Sequence, residues 1–380
     1  MPSHLENLLD QRTVSFVIEI TSNFPGGNIL VDGIEGDTVR LRQDRRDSTE
    51  WWFYWSFRIS GAEGRTLRFV FGDGNVFTAA GPCYSREGET WHWLGPECMT
   101  GEAFTHTFTA DENEAWFALS HPYTEKHLQQ FLAAHPTIQL VELGRSREDR
   151  SVELLNLSAA QPEGAVLITC RSHACEAQAS FVLEGILDAW LGDEPEGCRL
   201  RQSLDLFMVP FVDKDGVERG DQGKLRAPHD HNRDFSLSPI YPECAAIMRL
   251  VNADPRRWHY AFDLHCPWIR NADNEKIFFV EGPEPHASAL HRFALQLETT
   301  HRALVPFYER ANIRFGTGWN QGTGATFGRF MREHTSCRLA TTLEFPYARA
   351  HYATVTPAAA REFGRDFARA LAREIAEKSP

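Results

Sequence analysis

The chain has 380 residues, 42% of them hydrophobic and 12% aromatic, enough to bury one large core or two moderate ones and unlike a disordered or low-complexity protein. Its net charge of −13 argues against a nucleic acid or an anionic membrane as the main partner, because gripping phosphates takes a basic face. No run approaches the roughly 20 apolar residues of a membrane span, the apolar stretch at Phe16 to Ile18 is too short for a signal-peptide core, and the eight scattered cysteines, with no C-x-x-C pair, read as free thiols of a cytoplasmic protein.

The first third reads as β-structure. Short apolar or alternating runs occur at Val14 to Ile20, Ile29 to Val31, Thr38 to Leu41, Trp51 to Ile59, Leu67 to Phe71, Phe104 to Thr109 and Ala115 to Leu119. Turn signals such as Pro25-Gly26-Gly27-Asn28 and Gly72-Asp73-Gly74-Asn75 separate them at a spacing that predicts an all-β sandwich domain. The aromatic block Glu50 to Phe57, EWWFYWSF, could be a stacking platform for a ligand, but alternating aromatics on a strand are expected in a core.

A helix predicted over Glu125 to Ala134 marks a change of pattern and divides the chain into residues 1–122 and 123–380. Beyond it strands alternate with helices. Strands are expected at Gln139 to Leu143, Val152 to Leu157, Val166 to Thr169, Leu204 to Val209, Tyr260 to Leu264, Lys276 to Val280 and Leu339 to Leu343. Helices are expected after His173 and over Pro242 to Val251, His286 to Arg310 and Pro357 to Glu377. This order predicts an α/β domain, a mixed sheet with helices on both faces.

In such a sheet the polar residues just beyond the carboxyl ends of strands carry most functional information. His173 and Glu176 form an H-x-x-E pair at a strand-to-helix turn, where an imidazole and a carboxylate can converge on one cation. His265 ends the strand that contains Asp263 and offers a third ligand. Three protein ligands with an open position suit a catalytic zinc, whereas a structural zinc takes four ligands and usually cysteine. Glu344 ends another strand, where a carboxylate can act as general acid/base. Asn232 and Arg233 supply an amide and a guanidinium fork for a carboxylate, in a loop made basic by Arg219, Lys224, Arg226, His229 and His231. His229 and His231 compete as metal ligands but rank below His173 and His265 because they lie in a Pro- and Asp-containing loop. The glycine-rich run Gly316 to Gly324 lacks the G-K-[ST] ending of a phosphate loop and reads as a loop lining the site.

The order H-x-x-E, D-G, D-x-N-R-x-aromatic, D-L-H and T-L-E resembles the M14 family of zinc carboxypeptidases. Upstream, SNFPGGNI (Ser22 to Ile29), EWWFYWSFRISGAEG (Glu50 to Gly64), GPCYSREGETW (Gly81 to Trp91), FTHTF (Phe104 to Phe108) and HPYTEKHLQQFL (His121 to Leu132) resemble the N-terminal β-sandwich of its cytosolic carboxypeptidase branch. The resemblance implies a zinc-dependent metallocarboxypeptidase that removes the C-terminal residue of peptide or protein substrates. His173, Glu176 and His265 would bind one zinc per chain, Glu344 would be the general acid/base, and Asn232 and Arg233 would hold the substrate's terminal carboxylate. At Gly223 it expects an arginine that polarises the scissile carbonyl; Lys224, Arg226 and Arg219 lie in the same loop, and Arg226 is placed with the substrate-binding residues. The family's N-P-D-G turn appears as Asp213-Lys214-Asp215-Gly216, an arginine of glutamate-trimming relatives falls near Phe327 with Arg329 and Arg332 close by, and Trp319 occupies the general region of the family's active-site tyrosine. Two rivals share these features: an N-acyl amino acid deacylase of the same superfamily, and a catalytically impaired binding protein.

Overall fold

The computed structural model describes residues 17–48 and 50–376. In its first 120 residues two five-stranded sheets pack face to face. One pairs Glu19–Thr21, Ser56–Ser60, Glu114–Ala118, Cys83–Ser85 and His92–Trp93 in that order; the other pairs Leu30–Glu35, Thr38–Arg42, Thr66–Phe71, Ala103–Thr107 and Met99–Thr100. Pairing is antiparallel except between Thr38–Arg42 and Thr66–Phe71. Alternation does the sorting: Leu67, Phe69 and Phe71 point inward while Thr66 and Arg68 stay exposed. Phe57 and Phe117 of one sheet meet Phe69 and Phe104 of the other, with ring centroids 5.6 Å apart for Phe57–Phe69 and 5.2 Å for Phe104–Phe117. Such aromatic pairs add about 0.5–1.5 kcal/mol each beyond the area they bury.

The aromatic block is divided between two environments. Trp52, Phe53, Trp55 and Phe57 are buried, as expected of a core. Regular strand begins only at Ser56, and Trp51 instead stacks on Trp268 of the α/β region, ring centroids 4.9 Å apart. Of the strand expected from Val14, residues 14–16 lie outside the described residues.

The α/β region is built on a seven-stranded mixed sheet ordered Gln139–Arg145, Ser151–Leu157, Leu204–Val209, Gly164–Cys170, Trp258–His265, Leu339–Glu344 and Phe278–Val280. The strands from Leu204–Val209 to Leu339–Glu344 run parallel, and antiparallel strands close both edges. Gly164–Cys170 is a continuous apolar run because both its faces are covered. Val166 and Ile168 join the cluster under the helices Ala177–Leu191, His286–Thr300 and Pro357–Ala376, whereas Ala165 and Leu167 join the cluster under Pro242–Ala253 and Phe327–His334.

Three helices were not expected from the sequence: Pro195–Ser203, Lys214–Arg219 and Phe327–His334. The expected Asp215-Gly216 turn lies inside Lys214–Arg219, which starts because the Asp213 carboxylate accepts the Gly216 N–H at 3.0 Å. Phe327–His334 follows the glycine-rich loop and is capped by Thr326, whose hydroxyl accepts the Arg329 N–H at 3.3 Å. The helix expected over His286 to Arg310 stops at Thr300. There the Asp366 carboxylate accepts the N–H groups of Arg302 (2.7 Å) and Ala303 (2.8 Å), drawing the chain away before Pro306.

Candidate metal centre

Three neighbouring strands end side by side, and each delivers part of one cluster. Gly164–Cys170 runs into the turn carrying His173 and Glu176, Trp258–His265 ends on His265, and Leu339–Glu344 ends on Glu344. The parallel register pairs Cys170 with Leu264 and His265 with Glu344, so all three chain ends open on the carboxyl edge of the sheet, where α/β folds leave a crevice.

His173 Nδ1 lies 2.8 Å from Glu176 Oε1 and His265 Nδ1 2.9 Å from Glu176 Oε2, while the two Nδ1 atoms are 3.2 Å apart. Two ring nitrogens and both oxygens of one carboxylate therefore face a common point. Glu176 Oε2 is buried there and accepts no hydrogen bond among the described residues. Imidazole with carboxylate is a donor set that suits Zn²⁺, and three protein ligands leave a fourth position open, so the residues fit the metal that their pattern implied. Burial alone would raise the Glu176 carboxyl, but Lys224, His173 and His265 hold it well below the usual range. It is thus held as a carboxylate.

The far side of each imidazole meets another carboxylate. His265 Nε2 lies 2.8 Å from Asp263 Oδ2, and Asp263 is itself fixed by the Thr169 hydroxyl, which donates to Oδ1 at 2.7 Å. His173 Nε2 lies 3.6 Å from Asp230 Oδ2. Carboxylates in these positions fix ring orientation and raise ligand basicity. Asp230 was passed over in the sequence; as the first residue of the D-x-N-R run it carried a signal.

Glu344 is partly buried, with Oε2 lacking a hydrogen-bond partner among the described residues. Burial raises its carboxyl above the ordinary range, against the pull of His265 and Lys224. A carboxyl poised in this way can both accept and return a proton.

Asn232 and Arg233 sit in the 3-10 turn His231–Arg233. Asp234 anchors that turn by accepting the N–H groups of Ile240 and Tyr241, each at 2.8 Å. Arg233 is exposed, donates to Asn232 O at 3.1 Å, and has no carboxylate within ion-pair distance among the described residues. The glycine-rich loop lies against it: Phe235 N donates to Ala325 O at 3.0 Å, and a Cβ on Gly324 would stand 3.2 Å from Arg233 Cδ. Trp319, at the tip of that loop, is 61% exposed.

The basic residues nearby separate clearly. Arg226 reaches Asp47 through Nε, Asp213 at 2.9 Å and Asp221 at 3.0 Å, so its fork is spent on three carboxylates. It lines a cavity of about 220 Å³ that none of the three metal-site residues touches. Arg219 is paired with Asp221 and Glu148. His229 pairs with Asp234 at 2.7 Å, and His231 stacks on Tyr241, 3.7 Å between centroids, so neither joins the centre. Arg329 pairs with Glu333 at 2.7 Å, while Arg332 donates to Ala340 O at 3.1 Å. Lys224 alone of these cations reaches the cluster: its Nζ is 2.8 Å from Glu176 Oε1.

A crevice at the carboxyl edge of a mixed sheet, with a His-Glu-His cluster beside the partly buried Glu344, makes a candidate metal centre on a carboxypeptidase fold. Comparison with known proteins agrees. The zinc carboxypeptidase family matches residues 124–309, and the cytosolic carboxypeptidase N-terminal domain matches residues 20–119; the chain belongs to the M14 zinc carboxypeptidase family. It is 26% identical to an uncharacterised Zymomonas mobilis protein over 65% of this chain and 67% of that one. With human cytosolic carboxypeptidase 6 it shares 29% identity over 43% of this chain and only 36% of the human protein. Crystal structures of metallo-carboxypeptidases share the fold. The Burkholderia cenocepacia one has a TM-score of 0.80 at 20% identity, covering 95% of this chain and 100% of that one, and the Pseudomonas aeruginosa one has 0.78 at 20% identity, covering 95% and 100%. No helix among the described residues is long and apolar enough to cross a membrane.

Proposed function

We propose that the protein is a zinc-dependent metallocarboxypeptidase that hydrolyses the last peptide bond of a peptide or protein with a free C-terminus. The observation that carries this reading is the convergence of His173 Nδ1, His265 Nδ1 and the Glu176 carboxylate beside Glu344, with Asp230, at the start of the run that holds Asn232 and Arg233, 3.6 Å from His173. When bound, zinc supplies Lewis-acid polarisation of the scissile carbonyl and of water. Glu344 accepts the proton of the attacking water and returns it to the leaving amine. Asn232 and Arg233 grip the terminal carboxylate, which sets the register of cleavage one residue from the end. Asp263 and Asp230 hold the two imidazoles in orientation.

Support for the carboxylate grip comes from the exposed fork of Arg233, which has no carboxylate partner among the described residues, and the Pseudomonas aeruginosa protein is described in complex with a substituted succinic acid. We place the division of the chain at residues 122 and 123, between the two family matches, and assign it to the cytoplasm with the cytosolic carboxypeptidases it resembles. The test is metal analysis of the purified protein combined with amino-acid release from peptides that differ only in the last residue. One zinc per chain and chelator-sensitive release are expected. Release from N-acyl amino acids but not from peptides would replace this reading with the deacylase.

A further inference from the structure

We propose that Lys224 is the site's carbonyl-polarising cation, occupying from the neighbouring position the role for which the chain carries no side chain at Gly223. The inference rests on the carboxypeptidase reading above and names the residue that meets the charge developing on the scissile carbonyl oxygen.

Gly223 cannot supply that group. It has φ +79, and a Cβ there would stand 2.4 Å from Ala174 N and 3.0 Å from the Cα of His173, inside the turn that carries the metal ligands. The chain uses this close approach to bring the next residue into the crevice. Lys224 is 8% exposed, and its Nζ lies 2.8 Å from Glu176 Oε1, 2.7 Å from Cys266 O and 3.3 Å from Pro267 O, over the Trp268 ring at 5.0 Å. The two carbonyls hold the ammonium in place. The third donor goes to Glu176 Oε1, on the side of the ammonium that faces the metal centre and from which a substrate carbonyl would approach. Arg219 and Arg226 have no such position, being paired with carboxylates away from the crevice.

The strap carrying Lys224 is pinned on both sides. Gln222 O accepts the Cys175 N–H at 3.1 Å, next to Glu176, and the Gln222 side-chain oxygen accepts the Phe53 N–H at 2.7 Å. The ammonium is therefore preorganised, which is what makes a charge effective against a transition state: it needs no rearrangement as the oxyanion forms.

The experiment compares wild type with Lys224→Met and Lys224→Gln, using peptide substrate and the phosphonate analogue of that peptide, whose tetrahedral anionic centre imitates the oxyanion. Turnover and phosphonate affinity should fall together by about 100-fold. Zinc should stay at one per chain, the unfolding midpoint should stay within a few degrees, and KM should change little. Lys224→Arg should recover part of both losses. Loss of zinc in Lys224→Gln would overturn the proposal by assigning Lys224 to the support of Glu176; so would phosphonate affinity that survives while turnover falls. A wild-type protein that binds zinc but neither cleaves peptides nor binds the phosphonate overturns the carboxypeptidase reading, and this one with it.

Discussion

The side-chain oxygen of Gln222 accepts the main-chain N–H of Phe53 at 2.7 Å, tying the β-sandwich to the strap that runs along the metal centre. The same amide accepts the Tyr54 N–H at 3.3 Å and donates to Trp51 O at 3.0 Å, so a short irregular segment finds its partners in one glutamine. Gln222→Ala leaves one buried and one half-buried N–H group unsatisfied and should destabilise the protein by about 2–4 kcal/mol. Urea unfolding measures this, and a change below about 0.5 kcal/mol would show that the clasp contributes nothing to stability.

Installing at position 223 the arginine that the family resemblance leads one to expect should damage the site. Gly223→Arg forces a Cβ against Ala174 N at a positive φ, and the turn holding His173 and Glu176 must yield. The expected result is a loss of about 3 kcal/mol or more together with zinc content well below one per chain. Unchanged zinc content and higher activity would show that the strap has room to move.

Glu344→Gln should keep one zinc per chain while lowering turnover by about 10²–10⁴-fold, the range for removal of a positioned acid/base. Metal analysis and product release on the same preparation decide it. Turnover within tenfold of wild type would remove Glu344 from the proton transfers.

Arg233→Ala should raise KM for peptides with a free C-terminus by about 10–100-fold, since charge-assisted hydrogen bonds contribute about 1.5–3 kcal/mol. Any residual cleavage of C-terminally amidated peptides should be unaffected. An equal loss on both substrates would point to a structural role. Gly324→Ala provides a graded version, because its Cβ would press on Arg233 Cδ from 3.2 Å at a φ of +93.

Stability should fall with acidification through the histidines that burial holds neutral. His121 is buried in the sandwich against Cys83 and Trp93, and burial lowers it to about 4. The unfolded chain binds this proton from about pH 6.5 downward while the folded one waits until about pH 4. The contribution is therefore complete above pH 6.5 and is lost as pH falls toward 4. Thermal unfolding at pH 7 and pH 5 should show the drop, and His121→Gln should have a shallower pH dependence by about one proton. Identical slopes would exclude His121 as the source.

Much of the site could be read in the sequence because its parts are punctuation between strongly patterned elements. Val166 to Thr169 and Tyr260 to Leu264 are short, largely apolar runs that read as buried strands, which puts His173, Glu176 and His265 at or just beyond strand ends. The helix Glu125–Ala134 and the strand Leu204–Val209 form with the ends expected of them. Local pattern was weaker where a tertiary partner sets the outcome. The helix from His286 ends at Thr300 because Asp366, 66 residues further on, captures the N–H groups of Arg302 and Ala303, and nothing near Thr300 encodes that.

The choice among the basic residues shows the division most clearly. The sequence determined the strand ends, the three candidate ligands and a loop rich in cations, because periodicity and residue chemistry are local properties. It could not rank Lys224, Arg219 and Arg226, which lie within eight residues of one another in the same loop. Their charges are alike, and what separates them is which carboxylates surround each after folding. Arg226 meets Asp47 from the sandwich and Asp213 from the cap of helix Lys214–Arg219, whereas Gly223 lets Lys224 pass close enough to the His173 turn to reach Glu176. Those partners come together only in the folded chain, and so the tertiary structure alone decided which cation faces the metal centre.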